Sequence, residues 1–115
     1  AGLVRAIVEA GHDTVMCFNE CVAVTVVYAA LAAGFSVPGD FALTGFDNSP
    51  VRQLTLRKID SINLSTYRLG RMAGGWLKRR IIDRSDEEIS MSIEGELVEG
   101  DTVCADVYAE TRERR

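Results

Sequence analysis

A single histidine, His12, stands in 115 residues, and its isolation removes the commonest metal and acid–base chemistry. With no second histidine and no C-x-x-C pair, the ligand spacing of a zinc site is missing, so no metal and no cofactor is expected. One imidazole without a positioned serine or cysteine and an orienting acid makes no catalytic triad; His12 reads as a polar residue at a helix–strand corner. The sequence also contains no G-x-S-x-G, no G-x-x-x-x-G-K-[ST] and no G-x-G-x-x-G, which excludes a nucleophile elbow, a phosphate loop and a dinucleotide fingerprint. No apolar run reaches the roughly 18–20 residues that span a bilayer, and the chain opens on no charged, apolar and small-residue cleavage pattern. Positive charge is in deficit: 13 Lys and Arg against 17 Asp and Glu give a net charge of -4, which offers no footprint for a polyanion. Cysteines are few and odd in number, Cys17, Cys21 and Cys104. Their apolar surroundings suit a reducing compartment. Cys17 and Cys21 straddle a strand-to-helix turn and are expected to be two buried thiols. A cytoplasmic protein without membrane contact and without enzymatic chemistry is the expectation.

What is present is organised around residues 13–47. Residues 14–18 form an apolar run too short for a helix, the pattern of a strand buried on both faces. Asn19 is placed to cap the following helix, and Glu20 sets a carboxylate in its first turn, where the helix dipole favours it. Residues 21–33 are apolar nearly all round, Gly34 supplies the stop, and Pro38 follows. Residues 41–46 form the next buried strand, ending in Gly45, Phe46, Asp47 and Asn48. Strand, crossover helix and strand make a right-handed parallel unit, in which ligands sit beyond the carboxyl ends of the strands. Both polar pairs, Asn19-Glu20 and Asp47-Asn48, fall there. A carboxylate at such an end accepts sugar hydroxyls in fixed directions, and a nearby aromatic ring, Phe18, offers an apolar face to the C–H groups.

On either side the pattern is simpler. Residues 1–11 read as an amphipathic helix with Leu3, Ile7 and Val8 on its apolar side. In 49–57, Pro50 suits a short helix, Leu54 and Leu56 pack inward, and Arg52, Arg57 and Lys58 are solvated. Residues 59–64 alternate as a strand, and Ser65 or Thr66 caps a helix over 67–82, whose apolar positions recur every three and four residues. Its glycines, Gly70, Gly74 and Gly75, weaken it by up to about 1 kcal/mol each, which close packing on a neighbouring element explains. Residues 89–98 alternate as an edge strand, 99–101 form a turn, and 110–115 are a charged, frayed tail.

Four segments, in order, resemble the lactose-repressor (LacI/GalR) family of bacterial transcription regulators. C-F-N-E-C-V-A matches its A-N-D-x-M-A-x-G turn, and V-P-G-D-F-A-L-T-G-F-D-N its V-P-x-D-(V/I)-x-(V/I)-x-G-(F/Y)-D-(D/N). Residues 59–64 match L-T-T-(I/V)-x-Q, and 69–73 its (M/L)-G-x-x-A helix. The resemblance implies a three-layer α/β fold with a mostly parallel sheet, one lobe of a type I periplasmic-binding-protein-like effector core, in a fragment. It implies a C-terminal lobe at 1–64, a crossover helix and strand at 65–103 associated with the hinge and the opposing lobe, and a tail at 104–115. It further implies that Glu20, matching the acid after the turn asparagine, contacts a small sugar-like effector, with Asn19, Phe18, Asp47 and Asn48 around it. Leu64 stands where the family has its crossover glutamine, and no basic residue stands near Gly100, where L-V-x-R-x-S-T has one. A homodimer through Val24, Val27, Tyr28 and Leu31 is implied, with DNA bound only through a helix-turn-helix outside this chain. The competing readings are a sugar-binding protein of a transporter, which shares the fold, and a small α/β enzyme using Glu20 and Asp47.

Overall fold

The computed structural model of the protein describes residues 2–104. Its elements run in the order α1 (Gly2–Glu9), β1 (Thr14–Met16), α2 (Glu20–Ala32), β2 (Ala42–Thr44), a 3-10 turn (Pro50–Gln53), β3 (Ser61–Asn63), α3 (Thr66–Ile82) and β4 (Glu96–Val98). Through the crossover α2, β1 and β2 pair in parallel, with Thr14 opposite Ala42 and Met16 opposite Thr44. The parallel set continues past Thr44. That residue bridges to Asp60, the Gly45 N–H donates to the Asp60 carbonyl at 2.7 Å, and the Asp47 N–H donates to the Ile62 carbonyl at 2.9 Å. From there β3 turns aside and pairs antiparallel with β4.

The core joins Val4 of α1, Cys17, the α2 residues Ala23, Val27 and Ala30, and Val37, Phe41, Leu43 and Ile59. Although α2 is apolar nearly all round, it buries one stripe, Glu20, Ala23, Val27 and Ala30, spaced by three and four. The two alanines, both 0 % exposed, give the helix a short approach to the strands beneath it. Its start is fixed by Asn19, whose Oδ1 accepts from the Val22 N–H at 3.0 Å, the cap expected from the sequence. Its end is fixed by Gly34 at φ +83°, with the Phe35 N–H donating back to the Ala30 carbonyl at 2.9 Å. A left-handed residue is what lets the backbone fold back onto that carbonyl, and glycine takes the conformation without steric cost.

The C-terminal segment is tied down by a buried carboxylate. Asp60, 0 % exposed, accepts from the N–H groups of Gly100 at 2.8 Å, Thr102 at 2.8 Å and Val103 at 3.0 Å. Thr102 also bonds β2, its hydroxyl donating to the Leu43 carbonyl at 2.7 Å and its carbonyl accepting from the Leu43 N–H at 2.8 Å. A Cβ on Gly100 would run into the Lys58 carbonyl and lie 2.7 Å from the Asp60 nitrogen, so the position where the resembled motif has a basic residue is here a point of backbone contact. Arg52 supplies the cationic clamp instead, with Nε donating to the Ile59 carbonyl at 2.8 Å and Nη2 to the carbonyls of Val98 at 3.2 Å and Glu99 at 2.8 Å.

Several expectations are corrected. Arg52 is buried, not solvated, because three carbonyls take its donors, and Leu54 and Leu56 are exposed, not inward. Cys21 is exposed because it lies off the buried stripe of α2, while burial pushes the Cys17 thiol up. Thr14 and Met16 are exposed, so β1 is covered on one face only among the described residues. Ser65 precedes α3 at φ 49° with no side-chain cap. In α3 no residue is buried, and a Cβ on Gly70 or Gly74 would meet nothing, so the close-packed neighbour expected for those glycines is not among the described residues. The strand expected over 89–98 shortens to Glu96–Val98. Of the tail, only Cys104 is described; 110–115 lie outside the described residues.

Replacing Asp60 by alanine strands three N–H groups, that of Thr102 buried and those of Gly100 and Val103 part-buried. Chemical denaturation of Asp60→Ala should show a loss of about 2–5 kcal/mol, the range for buried donors left unpaired; a loss below 1 kcal/mol would contradict this role.

Candidate functional site

The carboxyl ends of β1 and β2 lie side by side, and the contact between them is specific. The Asn48 N–H, after β2, donates to Glu20 Oε1 at 2.9 Å, at the first turn of α2, and to Ser61 Oγ on β3 at 3.0 Å. The Ser61 hydroxyl itself donates to the same Glu20 oxygen. Gly45 makes this possible, because a Cβ there would lie 3.3 Å from both Glu20 Cγ and Oε1 and 3.2 Å from Ile59.

The two acids expected at the site differ in depth. Glu20 is 1 % exposed, and its carboxylate is taken up by Asn48 and Ser61. Asp47 is exposed at the tip of the loop, at φ 89°, with its N–H held by Ile62. Burial alone would push the Glu20 carboxyl up; hydrogen bonds from Ser61, and from Ser49 nearby in poorer geometry, together with its own N–H, outweigh that and hold it below the ordinary carboxylate range. Its second oxygen, Oε2, is buried with no hydrogen-bond partner.

Around Asp47 the other expected residues are partly assembled. Phe18 is 84 % exposed at the end of β1. Asn19 is half-buried, and its Oδ1 is taken by the helix cap, which leaves its amide N–H groups for a ligand. Asn48 is half-buried and bound through its backbone. Leu64, also half-buried, lies beyond β3 against Gly95, where a Cβ would stand 3.4 Å from its side chain. The sequence reading missed Ser61, Gly45 and Ser49. The signal for Ser61 was available, since it falls on a threonine of L-T-T-(I/V)-x-Q and keeps the hydroxyl. Nothing in the sequence marked Ser49.

The face expected to meet a second copy also divides. Val27 is 7 % exposed and part of the core, and Val24 packs partly against it, whereas Tyr28 and Leu31 are about half exposed. Val27 is therefore withdrawn from that face, because it lies on the buried stripe. Tyr28 donates its hydroxyl to the Leu54 carbonyl at 3.0 Å. Beside it, Val27, Leu31, Val37 and Leu56 line an apolar hollow of about 190 Å³.

The model of the periplasmic binding protein-like domain matches residues 3–103. The chain belongs to this family. Among curated relatives it is 28 % identical over 89 residues to the HTH-type transcriptional repressor PurR of Vibrio cholerae, covering 77 % of this chain and 26 % of that protein. It is 31 % identical over 84 residues to PurR of Mannheimia succiniciproducens, covering 73 % and 25 %. Its backbone superposes on the transcription regulator CcpA of Lactococcus lactis with a TM-score of 0.80 at 25 % identity, covering 90 % of this chain and 38 % of that one. On a transcriptional regulator CelR–cellobiose complex the TM-score is 0.79 at 24 % identity, covering 87 % and 31 %. The chain thus spans about a quarter of the length of the curated relatives it matches. It has the α/β fold of the periplasmic-binding-protein-like family, in the form found in LacI/GalR-type regulators, and the curated relatives named are transcriptional repressors. Within this fold the ends of β1 and β2 are the carboxyl ends of parallel strands, where ligand crevices form.

Because the folded pKa of Glu20 lies below its unfolded value, ionised Glu20 contributes stability above roughly pH 4.3 and loses it as pH falls from there through the lower folded value. Glu20→Gln should therefore lower stability at pH 7 by about 1–3 kcal/mol and shrink the further loss between pH 5 and pH 3. Urea midpoints at both ends of that range read the difference, and an equally steep pH dependence in the variant would refute it.

Proposed function

We propose that this chain is part of the effector-sensing and dimerisation core of a DNA-binding transcription regulator, and that a small polar metabolite of the carbohydrate type binds at the ends of β1 and β2. The observation that carries the reading is the exposed Asp47 carboxylate, on a loop bonded through Asn48 to Glu20, the residue that follows Phe18 and Asn19. A carboxylate accepts hydroxyl hydrogens, the Asn19 amide donates, and the Phe18 ring covers C–H groups, which together suit a polyol. The cellobiose held by the CelR regulator supports the ligand class. Asn48 and Leu64 complete the wall, Leu64 giving an apolar surface where the resembled motif has an amide.

In this reading 1–64 belongs to the C-terminal lobe, and α3 with β4 packs on the opposing lobe and hinge. The exposed apolar side chains of α3, Leu69, Leu77 and Ile81 among them, need such a cover. Ligand in the cleft favours one lobe arrangement, and a homodimer passes that preference to a DNA-binding head outside this chain, in the cytoplasm. No helix among the described residues is long and apolar enough to cross a membrane. The dimer contact is made by Val24, Tyr28 and Leu31 together with Leu54 and Leu56, the last 96 % exposed.

Two measurements on the intact protein test this reading. Calorimetry against a sugar panel that includes cellobiose should find a ligand whose binding Asp47→Ala weakens by about 1.5–3 kcal/mol, the range for a hydrogen bond to a charged group. A panel without any binder, or an unaffected affinity, would count against the site. In ultracentrifugation Tyr28→Asp should move the protein toward monomer with its circular dichroism retained, because a two-fold contact receives each substitution twice; an unchanged dimer would exclude the face.

A further inference from the structure

The loop that presents Asp47 holds two successive left-handed residues, Asp47 at φ 89° and Asn48 at φ 53°. Neither is glycine; Asp and Asn take this conformation more readily than other side chains, and its backbone cost is offset by the bonds around it. Two segments surround it here, the start of α2 and β3. Glu20 at the start of α2 and Ser61 on β3 share the Asn48 N–H, Ser61 donates to the same Glu20 oxygen, and the Ile62 carbonyl takes the Asp47 N–H. Glu20 and Ser61 are each 1 % exposed, and the bond between them is buried. We propose that Glu20 and Ser61 form a latch that holds Asp47 toward the ligand and couples its loop to β3, the strand that leads into α3.

The coupling follows from connectivity. Asn63 and Ser65 continue β3 into α3, with the Ser65 N–H donating to Asn63 Oδ1 at 3.0 Å. A displacement of β3 shifts Ser61 and withdraws one of the two acceptors of the Asn48 N–H, so the left-handed pair relaxes. In the other direction, a ligand that fixes Asp47 fixes Ser61 and the path into α3. Glu20 and Ser61 are thus positioning residues, acting on the ligand through Asp47 without touching it. The ligand side of this inference rests on the sensor reading above; the latch itself does not.

Hydrogen–deuterium exchange on the intact protein without any ligand separates the two. Expressed as protection factors, the amides of 47–49 should lose about tenfold in Glu20→Gln and in Ser61→Ala, the order of one hydrogen bond. Amides of β1 and of the second half of α2 should be unchanged. Ser61→Thr, which keeps the hydroxyl, should restore protection. Unchanged protection at Asn48, a loss spread evenly over the core, or a Ser61→Thr variant as open as Ser61→Ala would each overturn the latch. If Glu20→Gln fails to fold, the Ser61→Ala and Ser61→Thr pair still decides. Because no ligand enters the measurement, a protein that binds no sugar but shows this pattern would defeat the sensor reading and leave the latch standing.

Discussion

Bringing backbone from positions forty residues apart into one parallel set leaves N–H groups that water no longer reaches, and each must find an acceptor. Asp60 answers most of that demand at the base of β3. One carboxylate takes three N–H groups from 100–103, and Thr102 relays the attachment to Leu43 of β2 through its hydroxyl. Hydrogen bonds to a charged acceptor are roughly twice as strong as neutral ones. The N–H groups offset what burying the acid costs. Arg52 does the converse with three carbonyls. Without these two side chains the strand order β1, β2 and the segment before β3 would have no fixed edge, and the crevice at its carboxyl end no floor.

At that end a second buried acid has a different task. Glu20 closes the gap between the two strand-end turns, and the absence of a side chain at Gly45 leaves room for it. An acid at the first turn of a helix, close to the chain reversal where a ligand sits, invites assignment as a ligand contact. Its 1 % exposure and its bonds to Asn48 and Ser61 favour a supporting place beneath such a contact. The neighbouring Asp47 is exposed, and the proposed division between the acids rests on that difference in depth.

The chain also leaves much apolar surface open. Met16, Phe18, Leu56 and most of α3 are exposed, more than a self-contained monomer of this size normally shows. These surfaces fall into separate groups: the strand ends, the α2 face with the 54–57 loop, and α3. Such a distribution suits a lobe with a ligand crevice, a subunit contact and a hinge on different sides, in keeping with a chain that matches only part of its relatives' length.

Local chemistry was legible in the sequence because it depends on near neighbours. The Asn19 cap, the Gly34 stop, the parallel unit of β1, α2 and β2 and the helical period of α3 each follow from residues within a few positions of one another, and the motifs carried the family. What the sequence could not assign was depth. Whether Glu20 or Asp47 faces the crevice, whether Val27 or Tyr28 faces outward on a helix apolar on all sides, and whether Arg52 is solvated depend on partners that are distant in the chain, Ser61, Ile59 and Val98 among them. An all-round apolar helix has no period to declare its buried stripe, and a charged residue reads the same in sequence whether carbonyls or water satisfy it. Only the tertiary structure, by bringing 20, 48 and 61 to one point and 52, 60 and 102 to another, decided which polar groups support the site and which remain open to a ligand.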